Sequence, residues 1–339
     1  MFDNSSCNVD SVRGYLEPQQ TRPERSINRI DKLVMMCGYL ACLIGILSLS
    51  SCSVKKLNMI NNIDLQGHRG CRGLLPENTI PAFLRAVDLG VHTLELDVVA
   101  NQAGEVFVSH EPFFNHEIST APDGSLVGEE VEREHNMYGL SKAEIQSYDV
   151  GMRAHPRFAD QEKIAVHKPL LSEMVLAVET YLIALDLPKV RYNIEIKRVA
   201  DHDEVFHPKM ETFADLVYEE IKSLGIMDRT TIQCFDVATL QYLHRMYPSA
   251  QLVYLIENLD SFEENIQKLG FEPSVYSPYF QFVNEELVSE CRARGIQLIP
   301  WTVNEEEDIA KMIRLNVDGI ISDYPDRLVR IYNDLKTQR

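Results

Sequence analysis

Apolar positions recur along this chain at two spacings. Short runs rich in β-branched and aliphatic residues occur at 63–66 (IDLQ), 92–98 (HTLELDV), 191–197 (RYNIEIK), 230–235 (TTIQCF), 251–256 (QLVYLI), 274–277 (SVYS), 296–301 (IQLIPW) and 317–322 (VDGIIS). Helix-period stretches lie between and after them, at 78–89, 172–185, 209–224, 236–246, 260–269, 284–294, 304–315 and 326–336. Helix ends are legible. Asn304 opens NEEEDIAKMIRL with acids in its first turn, and Gly225 and Gly295 fall just past helix ends. A ninth strand-like run, EVFVSH (105–110), follows the second strand across ANQAGE. That link is too short for a helical crossover, which needs a dozen or more residues. The run is therefore expected as a β-hairpin arm above the main sheet.

Eight strand–helix repeats over residues 63–335 predict an α/β fold, a (β/α)8 TIM barrel with a β-hairpin arm. Alternation alone does not show closure, and a doubly wound open sheet is the alternative. Residues 111–170 break the rhythm with charged, Gly- and Pro-rich sequence, including APDGSLVGEE and RAHPRFADQEK. A polar insertion of this length over a barrel is expected to shape a site and not to support the core.

The amino-terminal pattern differs. Arg22, Arg25, Arg29 and Lys32 precede an apolar run, 33–49, and then LSLSSCS. Basic, apolar and small residues in that order make an export signal. The segment Leu49-Ser50-Ser51-Cys52 resembles a bacterial lipobox, in which the Cys thiol is acylated. Residues 1–52 are thus expected to be a signal ending in a lipidated Cys52, with 53–62 a linker. This predicts an exported, membrane-anchored lipoprotein of a bacterial cell envelope. An uncleaved transmembrane anchor is the alternative, although a comfortable span needs about 20 residues. The polar stretch 1–21 is longer than such signals usually carry.

Composition narrows function. The chain has 339 residues and a formal net charge of -18. Such an acidic surface repels nucleic-acid phosphate, so no nucleic-acid partner is expected, and no protein partner is predicted. A phosphate site here must supply its own local positive charge. Cys71, Cys234 and Cys291, the cysteines beyond Cys52, form neither a disulfide framework nor a CxxC pattern.

In a barrel, reactive groups project from the carboxyl ends of strands. Those ends carry His68 and Arg69, then Glu95 and Asp97, then His110 and Glu111 on the arm, then Glu195 and Lys197, Gln233, and Trp301. Glu95 and Asp97 are two apart and share a face, the lumen, because Leu94, Leu96 and Val98 need the helix-packed side. Three converging carboxylates repel unless neutralised, and oxygen-only donors select one hard divalent cation, Ca2+ or Mg2+. The alternative is pairing with Arg69 and Lys197 and no metal. His68 and His110 flank this cluster as a candidate acid–base pair. The other eight histidines are expected mostly at the surface or rim. Phe113, Phe114, Tyr279 and Phe280, with Trp301, are candidates for an apolar wall or for plain packing. Arg72 is expected to be solvent-exposed.

The ordered set GHRG with PENT, ELDV, VSHEP, NIEIK, IQCFD, PWTVN and DGIISDYPD, spanning roughly residues 63–328, resembles the glycerophosphodiester phosphodiesterase family of phosphatidylinositol-phospholipase-C-like barrels. The resemblance implies a metal on Glu95, Asp97 and Glu195, acid–base catalysis by His68 and His110, and phosphate contacts from Arg69 and Lys197. It also implies a supporting role for Glu77 and Asn78. Gln233 and Trp301 complete the expected substrate site. Many relatives have HD where this chain has His110-Glu111, and SF where it has Cys234-Phe235. The implied reaction is metal-dependent hydrolysis of a glycerophosphodiester to glycerol 3-phosphate and an alcohol, through a cyclic phosphate. A phospholipase acting on intact lipids and a non-catalytic surface binding lipoprotein are the alternatives.

Overall fold

Leu94, Leu96 and Val98 alternate with Glu95 and Asp97 along one strand, β2 (Thr93–Ala100), and the two sets part to opposite sides. The aliphatic set joins the core beneath the helices, while the acids are buried in the lumen. The computed structural model describes residues 62–337. The basic stretch, the apolar run 33–49, Cys52 and the linker up to residue 61 lie outside the described residues. Among the described residues no helix is long and apolar enough to cross a membrane.

The parallel strands are β1 (Asp64–Gly67), β2, β4 (Arg191–Ile196), β5 (Thr230–Cys234), β6 (Gln251–Ile256), β7 (Val275–Pro278), β8 (Gln297–Leu298) and β9 (Gly319–Ser322). They lie side by side in the order β8-β7-β6-β5-β4-β2-β1-β9. The seam between β8 and β9 is bridged by backbone bonds. Asp318 N–H donates to the Leu298 carbonyl (2.8 Å), Ile321 N–H to Pro300 (3.0 Å) and Val303 N–H to Ile321 (2.9 Å). The sheet is a barrel, and the open-sheet alternative falls.

Helices α1 (Ile80–Leu89), α3 (Leu171–Ala184), α4 (Met210–Ser223), α5 (Val237–Met246), α6 (Phe262–Leu269), α7 (Glu285–Ala293), α8 (Glu306–Leu315) and α9 (Pro325–Thr337) alternate with the strands, α2 being a short turn named below. Their inner faces bury residues such as Phe83, Leu171, Phe213, Leu240 and Ile309. Each large apolar side chain so buried contributes about 1.5–3 kcal/mol. Gly225 (φ 67°) and Gly295 (φ 70°) adopt the left-handed conformation that ends a helix. Asn304 does not open α8; Glu305 is the N-cap. The Asn304 amide donates instead to Asp323 Oδ2 (2.8 Å), and its oxygen accepts from Asp323 N–H (3.0 Å).

Register sets the level of the site. Glu95 pairs with Asn193 and Asp97 with Glu195 across β2 and β4, and Glu195 pairs with Gln233 across β5. The arm strand, β3 (Val106–Val108), runs antiparallel to the end of β2, with Val98 opposite Val108. Beyond it the insertion folds on a small core of its own, made of Val99, Phe107, Phe114, Ile118, Val127, Met137, Ile145 and Val150. Its short helix α2 (Lys142–Ile145) is closed by a Ser141–Glu144 capping box. Phe114 belongs to this core, fully buried and stacked on Tyr148 at 3.7 Å, so it lines no substrate wall.

Candidate active site

The glycine-rich turn after β1 is built by close approach. A Cβ on Gly67 would lie 2.2 Å from the Gly70 carbonyl oxygen, and one on Gly70 (φ 85°) 2.7 Å from the Ala82 backbone. The tight turn lets Arg69 N–H donate to Glu95 Oε2 (2.9 Å) and Asn78 N–H to the Arg69 carbonyl (3.0 Å). Arg69 and Asn78, nine apart in sequence, are thereby held around one strand end.

Glu95, Asp97 and Glu195 converge so that one oxygen from each lies within 4.8 Å of the others. Gln233 Nε2 donates to Glu95 Oε1 (2.6 Å), and Asn78 Nδ2 to Asp97 Oδ2 (2.9 Å). Burial and the neighbouring Asp97 push the Glu95 carboxyl well above its usual range. Burial pushes Glu195 up to about 7 despite Lys197. Burial also opposes charge on Asp97, but Arg69, His110 and Lys197 outweigh it and hold that carboxyl low. Full ionisation of the cluster therefore requires more positive charge than the side chains supply. Hard oxygen donors in this arrangement fit a divalent cation such as Ca2+ or Mg2+.

His68 and His110 stand on two sides of this cluster with matching partners. His68 Nδ1 bonds Asp323 Oδ1 at 2.6 Å, and its Nε2 is 3.9 Å from Glu95 Oε2. His110 Nδ1 bonds Glu111 Oε1 at 2.6 Å, and its Nε2 accepts from Lys197 Nζ at 3.0 Å. A carboxylate on Nδ1 fixes the tautomer and turns Nε2 toward the site, where that of His110 is shared with Lys197 Nζ. Burial lowers the pKa of both, reinforced at His110 by Arg69 and Lys197 and opposed at His68 by Asp323.

The cationic groups form two arms. Lys197 Nζ donates to Glu195 Oε1 (2.7 Å). On the other side Glu77 takes Arg69 Nη1 on one oxygen (2.7 Å) and Arg72 Nε on the other. Arg69 Nε also reaches Asp97 Oδ2 (3.1 Å). Arg72, expected at the surface, is buried. These groups border a cavity of about 170 Å³ whose apolar side is Phe235, Leu255, Trp301 and Ile321. Trp301 is fixed by Nε1–H to the Ser277 carbonyl (2.9 Å) and packs edge-on against Phe235 (5.5 Å). Tyr279 packs on Trp301 (5.9 Å) and on Phe280, and Phe113 packs on Phe206. None of these three lines the cavity.

Residues 68–327 match the model of the glycerophosphoryl diester phosphodiesterase family. The chain belongs to that family. A glycerophosphodiester phosphodiesterase of Caldanaerobacter subterraneus subsp. tengcongensis is 30% identical over 270 residues, covering 78% of this chain and 95% of its own. A putative glycerophosphoryl diester phosphodiesterase from Silicibacter pomeroyi DSS-3 superposes with a TM-score of 0.72 at 29% identity, over 81% of this chain and 94% of that one. A phosphodiesterase from Oleispira antarctica, solved with the product sn-glycerol-3-phosphate, shares the fold at 20% identity and TM-score 0.63, over 80% and 96% of the two chains. The glycerophosphodiester phosphodiesterase family makes this chain an enzyme, a phosphoric diester hydrolase.

His68, Arg69, Glu77, Asn78, Glu95, Asp97, His110, Glu195, Lys197, Gln233 and Trp301, singled out from the sequence, fall in or directly against one cluster, whereas Phe113, Phe114, Tyr279 and Phe280 do not. Asp323 was missed, although it directly follows β9 and the strand-end rule covers it. Glu111, a departure from the HD pattern of the resemblance, keeps its carboxylate on His110 despite the longer stem. Asn193, which donates to Gln233 Oε1 (3.0 Å) and Gln66 Oε1 (3.1 Å), was also missed. So was Lys168, buried against Ser109 Oγ (2.5 Å). Two histidines expected near the surface are buried: His155, and His207, which bonds the Val199 backbone.

Proposed function

We propose that this phosphodiesterase hydrolyses glycerophosphodiesters to glycerol 3-phosphate and an alcohol, with one divalent cation and a two-histidine acid–base pair. The carrying observation is the pair of Nδ1–carboxylate contacts that leave Nε2 of His68 and His110 on either side of three converging carboxylates. The named activity of the relatives and the glycerol 3-phosphate in the Oleispira antarctica enzyme support the substrate class.

Glu95, Asp97 and Glu195 would hold the cation, which when bound supplies charge neutralisation for the phosphoryl oxygens. Arg69 and Lys197 orient the phosphoryl group, and Gln233 holds Glu95 in place. Trp301 and Phe235 provide an apolar side for the glycerol or head group. Nε2 of one histidine takes the proton from the glycerol hydroxyl next to the ester, and that oxygen attacks phosphorus. Nε2–H of the other protonates the departing alcohol oxygen. Water then opens the cyclic phosphate with the two roles exchanged.

Calorimetric titration of the full chain with Ca2+ or Mg2+ tests the cation site apart from turnover. One cation per chain is expected, with binding lost in Glu95→Gln and Asp97→Asn. A chain that takes up neither ion sinks the cation site.

A further inference from the structure

The proposed reaction gives no task to Arg72, a buried cation that borders its cavity. Arg72 has a side chain only 8% exposed, yet it borders the cavity. Its Nε pairs with Glu77 Oε2, and its guanidinium lies over the Phe158 ring at 5.1 Å. Its carbonyl accepts from Gln161 Nε2 (2.7 Å). Phe158 is in turn packed edge-on by His155 (4.7 Å) and Tyr324 (6.1 Å). Glu77 and Phe158 therefore fix the fork and Gln161 fixes the Arg72 backbone, and Phe158 and Gln161 both come from the insertion.

The fork itself is uncommitted. Among the described residues, Arg72 Nη1 and Nη2 have no hydrogen-bond partner. Neither is among the fully buried unpaired atoms, so these donors keep access to solvent and can meet an anion that enters from it. The neighbours are incompletely satisfied too. Of the five buried side-chain polar atoms without a hydrogen bond among the described residues, four are Arg69 Nε, Arg72 Nε, Glu77 Oε2 and His155 Nε2. The Arg72–Glu77 and Arg69–Asp97 pairs touch as charges but are not aligned as hydrogen bonds. An ion bound beside such groups is one way in which their hydrogen-bonding capacity is met.

An oxyanion matches the donors. Guanidinium forks pair geometrically with phosphoryl oxygens, and a chain of net charge -18 needs local cations to hold them. Arg72 N–H donates to the His68 carbonyl (3.3 Å), so Arg72 stands on the His68 side, whereas Lys197 stands on His110. We propose that Arg72 is a third cationic contact to the substrate's phosphoryl group, opposite Lys197, and that the 155–161 stretch of the insertion holds it there. This rests on the reaction proposed above.

The test uses the full chain with Mg2+ or Ca2+ present. It measures kcat and KM on glycerophosphocholine and on glycerophosphoserine, whose head group carries a carboxylate, and, separately, the Kd of sn-glycerol 3-phosphate by calorimetry. Arg72→Gln is expected to raise both KM and Kd by about ten- to a hundredfold, the size of a charge-assisted hydrogen bond. The change in kcat should be smaller, and cation affinity should not move. Arg72→Lys should recover part of the loss, and Phe158→Leu should show a weaker loss of the same kind. Arg72→Met, which keeps the apolar stem over Phe158, carries the same expectation where the Gln variant melts too low. Wild-type Kd and KM in a folded Gln or Met variant would overturn the assignment. So would a KM effect confined to diesters with anionic head groups, which would make Arg72 a reader of the head group. If the wild-type chain turns over no glycerophosphodiester, the proposed reaction fails, while the Kd comparison still decides Arg72.

Discussion

At the scale of single residues, the site depends on carboxylates that each serve a different neighbour. Asp323 and Glu111 each hold one histidine by Nδ1, while Glu77 holds two arginines. Burial alone would disfavour charge on all three, yet burial is outweighed at each. Asp323 is held low by His68, Glu111 by His110, and Glu77 at about 2 by Arg69 and Arg72. If the histidines transfer protons, His68→Ala and His110→Ala should each lower kcat by about a hundredfold or more, with little change in KM. The double variant should lose far less than the product of the two. A nitrophenyl diester, whose leaving group needs no protonation, should make one of the two nearly dispensable. Steady-state kinetics on both substrates checks this; near wild-type kcat in both single variants on the natural diester would make the pair structural.

At the scale of elements, the turn between β1 and α1 decides whether the site assembles. Gly70 has φ 85°, and a Cβ there would press on the Ala82 backbone of α1. Gly70→Ala should therefore lower stability by about 1–2 kcal/mol from the left-handed backbone alone, with the steric clash adding to it. Denaturant melts read this directly, and unchanged stability would mean the turn relaxes freely. The elements themselves were legible because period-2 and period-3.6 patterns alternate without interruption in most of the chain. Asn304 misled because a loop asparagine and an N-cap asparagine look alike in sequence, and only the partner, Asp323, tells them apart. The strand-end acids and histidines were legible because side-chain alternation and barrel geometry both point them inward. Arg72 and Lys168 were not, because what buries them lies far away in sequence. Arg72 is covered by Phe158 and Gln161, and Lys168 lies against Ser109 and the Phe114 ring.

At the scale of the whole molecule, a strongly acidic barrel concentrates Arg69, Arg72 and Lys197 around one small cavity. That arrangement gives an anionic diester a local attraction which the overall charge of -18 denies it elsewhere. Strand closure was not legible, since alternation is shared by open sheets; the backbone bonds between 298–303 and 318–321 supply it. We further propose that acylation of Cys52 attaches this barrel to a membrane, motivated by the Leu49–Cys52 pattern. Cys52→Ala should then abolish fatty-acid labelling, and labelling that persists would refute the assignment. Every role proposed for the site serves cation-dependent cleavage of a glycerophosphodiester at phosphorus. Phosphorus NMR of glycerophosphocholine with the full chain measures it most directly. Conversion to glycerol 3-phosphate is expected with Ca2+ or Mg2+ present, with arrest by excess chelator and recovery when the cation is restored. Conversion undiminished in excess chelator, or no conversion with either cation, would contradict it.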